Sequence, residues 1–255
     1  MTGLTEEERK LQYSFSRLNC YHTCPYSYYL KYILNKPDEQ NAFSSYGTFC
    51  HFVLEKYFNG ELELFELADY YEDHFDEAVP LDFPPNAYCD LGQKYYDGGL
   101  TYFNEFQGFA GYEVLGVELE FTVPLFGEYK FHGFIDLLLR DPNGKIVVID
   151  HKSHIFKNKR EIEHYSIQIV LYCLYVKEKY GEYPDRVVFN TFRNQKIVKI
   201  KFTEERLEAA IQWARDTIAS IESDTEWKAV PQGYFCEQIC GYKNTCTKKN
   251  GGERQ

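Results

Sequence analysis

Two spacings of apolar residues alternate along the chain, and the switches between them outline its elements. Residues 12–35, rich in Tyr and Leu, carry a helical pattern in which Pro25 marks a helix start or a break. Ser44–Phe58 is a second helical stretch and contains Cys50, His51 and Glu55. Residues 60–110 continue in helical spacing, interrupted by Phe83-Pro84-Pro85-Asn86, which predicts two helices. From Tyr112 the period becomes strand-like, and GYEVLGVELEFTVPL, EYKFHGFIDLLLR and KIVVIDHKS read as three consecutive strands. A helix over Arg160–Tyr180 follows, then the strands VVFNTF and KIVKIKF around Arg193-Asn194-Gln195. Thr203 caps a last helix, with Glu204 and Glu205 in its first turn, running to about Glu222. Helices, three strands, helix, strands, helix: this order predicts an α/β (α+β) fold with a mixed central sheet flanked by helices.

Composition adjusts this picture in three ways. A length of 255 residues with 44% hydrophobic residues suits a single domain over 1–255 with a real core. The formal charge of −11 argues against a polyanionic partner, but residues 61–90 hold ten Asp or Glu and no Lys or Arg. The acidity therefore belongs to a helical insertion over 60–110, and the nearly neutral remainder has room for a basic groove. Aromatics at 18% serve either a core or base stacking. There is no signal peptide, the start MTGLTEEERK is polar, and no apolar run spans a membrane. A cytoplasmic chain is expected, and its eight cysteines then point to metal rather than to disulfides.

The candidate chemistry lies on a hairpin. Asp141-Pro142-Asn143-Gly144 is a strong turn signal, and a three-residue loop closed by a left-handed Gly144 pairs Asp141 with Lys145. That register sets Asp136 opposite Asp150, with Lys152 two residues on and on the same face. Two carboxylates facing each other within apolar strands are unfavourable unless something positive compensates. A divalent cation does so, and oxygen ligands suit Mg²⁺ or Mn²⁺; a strand-end carboxylate in a salt bridge to Lys152 is the plainer alternative.

GFIDLLLRDPNGKIVVIDHKS resembles the PD-(D/E)XK signature of RecB-like nucleases, as Asp136 followed by Asp150-His151-Lys152. Ser14-Phe15-Ser16-Arg17-Leu18, Cys24-Pro25 and Tyr28-Tyr29-Leu30 are similar to the family's N-terminal element. Gly47-Thr48 with His51 resembles its histidine-bearing helix, and Gln168 with Tyr172 its Q-x-x-x-Y motif. The resemblance implies a restriction-endonuclease-like fold. It makes His51, Asp136 and Asp150 metal ligands, joined by the backbone carbonyl of His151, and makes Lys152 the group that orients or activates the attacking water. Gln168 and Tyr172 would buttress Lys152 or contact phosphate. Glu118 resembles a recurrent acidic position upstream of the first aspartate. Taken alone, His51 equally suits a pair with Glu55, and Gln168 and Tyr172 suit a core edge.

Cys236, Cys240 and Cys246 lie close together near the C-terminus, in a Cys-rich segment over 230–250, and Cys24 stands far upstream. One early and three late cysteines resemble the iron–sulfur arrangement of AddB-type nucleases and of the CRISPR adaptation exonucleases. The resemblance implies a [4Fe–4S] cluster closing the chain ends together, with Zn²⁺ as its rival. The spacing here is C-x3-C-x5-C where that pattern has C-x2-C-x5-C. Cys20 is an alternative fourth ligand, while Cys50, Cys89 and Cys173 read as small core residues.

The expected activity is metal-dependent hydrolysis of DNA, on ends or single strands, in recombination, repair or spacer acquisition, in a protein of prokaryotic or phage origin. No G-x-x-x-x-G-K-[ST] motif is present, so a motor would be a separate helicase. Arg17, Lys31 and the N-terminal tyrosines are candidates for a strand channel, as Tyr172 is for substrate contact. A non-catalytic, cluster-stabilised nucleic-acid-binding module and an RNA nuclease on the same fold are the alternative readings.

Overall fold

The computed structural model describes residues 10–247. The polar residues 1–9 and the last residues of the 230–250 segment lie outside them, as does the tail beyond. Contacts divide the chain into two compact units. One comprises residues up to 41, 124–132 and 208 onward; the other comprises residues 42–123 and 133–207.

In the first unit a short strand β1 (Gln12–Tyr13) runs parallel to Lys130–Phe131. The helical stretch expected over 12–35 is three pieces. Helix α1 (Phe15–Thr23) starts at Ser14, whose hydroxyl accepts from the Arg17 amide. It stops where Cys24 turns extended, because Pro25 disfavours a helical residue before it. Helix α2 (Pro25–Tyr28) restarts with proline in its first turn and widens into a π-turn over Tyr29–Ile33. The C-terminal segment is tied to this region by backbone and side-chain bonds: Glu39 N–H to the Gly241 carbonyl at 2.8 Å, Asn41 Nδ2 to the Ile239 carbonyl at 2.9 Å, and the Tyr242 hydroxyl to the Lys36 carbonyl at 3.0 Å.

The second unit holds helices α3 (Ala42–Phe58), α4 (Leu67–Ala78) and α5 (Leu91–Glu105), the last two being the expected acidic insertion. Their apolar faces form an aromatic core in which Tyr46, Phe49, Tyr71, Tyr95, Tyr102 and Phe103 are buried. Part of the high aromatic content is thus core. Strands β2 (Glu113–Phe126), β3 (Tyr129–Arg140), β4 (Ile146–Lys152), β5 (Arg186–Thr191) and β6 (Lys196–Ile200) supply the mixed sheet. β3, β4, β5 and β6 lie side by side in that order, with β1 and β2 both paired to β3; pairing is antiparallel at β3/β4 and β5/β6 and parallel at β4/β5. The crossover between β4 and β5 is helix α6 (Lys159–Tyr180), capped by Asn158 and ended by a left-handed Gly181. Thr203 caps the last helix, α7 (Glu204–Ser223), accepting from the Arg206 amide.

The hairpin turn closes as its residues dictate. Asp141 N–H donates to the Lys145 carbonyl at 2.8 Å, Gly144 has φ +79°, and the Asp141 carboxylate accepts from the Asn143 and Lys145 amides. The ladder then runs from Arg140↔Ile146 to Leu137↔Ile149, the register expected from the turn.

Candidate active site

Asp136 and Asp150 are the next residues beyond the last rung of the β3–β4 ladder. There the rung is replaced by a side chain: the His151 amide donates to Asp136 Oδ2 at 2.6 Å. The open side of β3 carries Asp136, since burial alternates along the strand up to that residue. Helix α3 brings His51 to it, with Nδ1 3.7 Å from Asp136 Oδ2 and 3.6 Å from Glu118 Oε1. His51 therefore pairs across the fold with carboxylates. Glu118 sits within β2 at φ +43°, a left-handed conformation that a non-glycine residue adopts only when surroundings impose it. His51, Glu118 and Asp136 each offer a ligand atom within 4.8 Å of the others, a separation that one ion can bridge.

Charge follows this geometry. Burial and then the neighbouring Asp150 hold the Asp136 carboxyl well above the usual carboxylate range, against the pull of His51 and Lys152. Burial alone would make His51 harder to protonate, but Asp136, Glu118 and Asp150 outweigh it and raise its pKa. Burial, then the positive His51 and Lys152, holds the His151 imidazole well below its usual range.

On the other side of the hairpin Lys152 is held by a chain of contacts. Its Nζ is 2.6 Å from Asp150 Oδ2 and donates to Gln168 Oε1 at 2.9 Å. Gln168 Nε2 donates in turn to the Tyr172 hydroxyl at 2.6 Å. Residues 12–247 match the PD-(D/E)XK nuclease superfamily. The chain belongs to that superfamily. Among solved structures, that of SSO0001 is similar at 15% identity and a TM-score of 0.43, over 97% of this chain and 90% of that one. No curated protein matches the sequence.

In this member of the PD-(D/E)XK nuclease superfamily Gln168 and Tyr172 form a hydrogen-bonded chain that ends on Lys152. Tyr172 is buried, and burial with the charges of Asp150 and Asp136 keeps its phenol neutral. The Arg17 guanidinium lies 4.3 Å over the Tyr13 ring, its Nε donates to the Tyr28 hydroxyl, and its Nη1 donates to the Gln12 carbonyl. Both tyrosines are buried. Lys31 pairs with Asp38 at 2.6 Å.

Gly133, the glycine of GFID, is explained by the same contacts. A Cβ there would stand 2.8 Å from Phe121 Cζ and 2.9 Å from Tyr172 Cε1. Gly133→Ala is expected to displace Tyr172 and, through Gln168, Lys152. A misplacement of about 1 Å costs about 10²-fold in rate, so single-turnover cleavage should fall by that order while Mn²⁺ affinity is retained. Unchanged cleavage would show that the Tyr172–Gln168 brace is dispensable.

In the first unit, Cys24, Cys236, Cys240 and Cys246 line one cavity with Ser27 and Val230. Cys20 is not among its walls. Burial raises the Cys20 thiol to about 11. Cys50 and Cys173 are buried as expected, whereas Cys89 is only partly so.

Proposed function

We propose that this protein is a DNA nuclease of the RecB-like branch, hydrolysing phosphodiester bonds in single strands or at free ends. The observation that carries the reading is one constellation: a His–Glu–Asp group within single-ion reach, Asp150 beside it, and a braced Lys152. The donor set fits a divalent metal. Asp150 is buried and the Asp136 side chain is 11% exposed, and Asp150 Oδ2 accepts no aligned hydrogen bond among the described residues although Lys152 pairs with it in charge. Carboxylates with one imidazole suit Mn²⁺ or Mg²⁺, held by His51, Asp136, Asp150 and the His151 carbonyl, with Glu118 in support. When bound, such an ion supplies an activated water and offsets charge on the scissile phosphate. The protein's own part falls to Lys152. Its ammonium donates to Gln168 and pairs in charge with Asp150, and its remaining N–H groups would orient the attacking water or a phosphate oxygen.

An unpaired strand is favoured by two exposed aromatics at the ligands. Phe134, 45% exposed, precedes Asp136 by two residues on the open side of β3, and Phe52, 43% exposed, follows His51 on α3. Base stacking on such a ring is worth about 1–3 kcal/mol per base, and a paired base has no free face to offer.

In the first unit we assign the four-cysteine cavity to a [4Fe–4S] cluster. Zinc would draw the sulfurs to about 3.8 Å from one another, given Zn–S bonds of about 2.3 Å. Among the described residues no three cysteine sulfurs lie within 4.8 Å of one another. Action beside a separate helicase, in repair, recombination or spacer acquisition in the cytoplasm, completes the reading. No helix among the described residues is long and apolar enough to cross a membrane.

The test is Mn²⁺-dependent cleavage of a single-stranded DNA oligonucleotide, its duplex and the matching RNA. Single-stranded DNA should be cut fastest, with Phe134→Ala lowering kcat/KM on it by about tenfold, the value of one lost stacking contact. Equal degradation by wild type and Asp136→Ala would falsify the reading. Faster cleavage of RNA would favour the RNA nuclease alternative.

A further inference from the structure

Asn190 is a buried polar residue of the second unit that the proposed chemistry does not use. His151 and Asn190 are register partners across the parallel β4/β5 ladder, so their side chains leave the sheet on the same side, opposite to Asp150 and Lys152. Both are almost wholly buried. Asn190 Nδ2 has two hydrogens. One points to the Tyr102 hydroxyl at 2.6 Å, the other to His151 Nδ1 at 3.0 Å. Tyr102 belongs to α5 of the acidic insertion and is itself buried. His151 Nε2 is buried without a hydrogen-bond partner among the described residues. The bond from Asn190 is thus what fixes the imidazole, and it places the ring proton on Nε2.

Two metal-site residues converge on His151. Its backbone N–H holds Asp136 Oδ2 at 2.6 Å. Its ring stands edge-to-face with the His51 ring, centroids 5.6 Å apart, and Phe192 packs against both, 5.5 Å from His51 and 5.7 Å from His151. A turn of the His151 ring would therefore release His51 and disturb the peptide that holds Asp136. A polar chain buried among aromatic rings is a costly way to fill space that leucine and phenylalanine could fill.

We infer that Asn190 is a positioning residue for the metal ligands His51 and Asp136, acting through His151, and that the insertion takes part by supplying Tyr102. The inference rests on the proposed metal-dependent reading. It gives the 60–110 insertion a role in the active site: α5 carries the hydroxyl that orients the Asn190 amide, which orients His151.

The experiment compares Asn190→Leu and Tyr102→Phe with wild type in the full-length protein. Mn²⁺ binding is measured by calorimetry, cleavage as a function of Mn²⁺, and thermal stability in EDTA. Loss of a group that orients a metal ligand typically lowers affinity by about 10- to 100-fold. Asn190→Leu should raise the Mn²⁺ dissociation constant by at least about tenfold. Cleavage at saturating Mn²⁺ should stay within about threefold, since the inferred role is in holding the ligands rather than in the chemical step. Tyr102→Phe, which removes one oxygen and should fold normally, should weaken Mn²⁺ binding in the same direction by less. ¹⁵N NMR of His151 should show the Nε2–H tautomer in wild type and a mixture in Asn190→Leu. Unchanged Mn²⁺ affinity in Tyr102→Phe and in folded Asn190→Leu overturns the inference, even if melting temperatures fall. A wild-type protein that binds no Mn²⁺ overturns the metal-dependent reading itself.

Discussion

Asp136→Asn is expected to lower nuclease activity by at least about 10³-fold and, in the same protein, to raise the melting temperature in EDTA. The two effects have one cause. Asp136 lies next to the buried Asp150 with its own side chain 11% exposed, and desolvation together with that second negative charge disfavours its ionised form. Asparagine has the same shape and keeps an oxygen to accept the His151 amide, which now donates at 2.6 Å. It removes the unfavourable charge without opening a cavity. At this chain length 1 kcal/mol moves the melting temperature by about 2–4 °C, so a rise of a few degrees is the expected size. Addition of Mn²⁺ should reverse the ranking, raising the wild-type melting temperature above that of the variant, because a ligand stabilises only the protein that binds it. A variant less stable than wild type in EDTA would mean that the carboxylates are compensated without metal. A variant that still cuts would place the chemistry elsewhere.

The hairpin was readable because its determinants are local. Asp141-Pro142-Asn143-Gly144 admits few turns, the turn fixes the register, and the register fixes which residues approach Asp150. Lys152 and Gln168 were readable as a motif, although only the structure reveals that the buried Tyr172 accepts a hydrogen bond from Gln168. The break at Cys24 was signalled by Pro25, whereas the π-turn after Tyr28 had no local signal. Glu118 is another such case: nothing in VELEF announces a residue at φ +43° that turns a strand carboxylate toward His51. Asn190 was the one hint left unread. An amide in the middle of VVFNTF is a polar residue in a buried strand, and such residues need partners. Its partner, Tyr102, is 88 residues away in the acidic insertion, a contact that no spacing rule reaches.

Each of Cys24→Ser, Cys236→Ser, Cys240→Ser and Cys246→Ser is expected to abolish the visible colour of the anaerobically purified protein, and Cys20→Ser and Cys89→Ser to leave it intact. Wild type should contain about four iron and four sulfide per chain, as a [4Fe–4S] cluster requires. The local fold accounts for the unusual C-x3-C spacing. Phe235–Ile239 is a π-turn, and the Cys240 amide reaches back to the Phe235 carbonyl at 2.8 Å. A π-turn takes in one residue more than an α-turn. The residue added between Cys236 and Cys240 is absorbed there, so both can still face the cavity that Cys24 and Cys246 line. Cys24 meets the same segment from the break between α1 and α2, its sulfur 3.5 Å from the Val230 amide. A cluster at this point joins segments more than 200 residues apart in sequence. By chain entropy a covalent link across even about 100 residues is worth about 4.7 kcal/mol. Loss of the cluster should therefore destabilise the first unit severely, with iron content and melting temperature falling together across the four variants. A colourless wild type with stoichiometric zinc overturns the cluster and leaves the nuclease chemistry standing, because the four cysteines all belong to the first unit and the carboxylates, His51 and Lys152 all belong to the second.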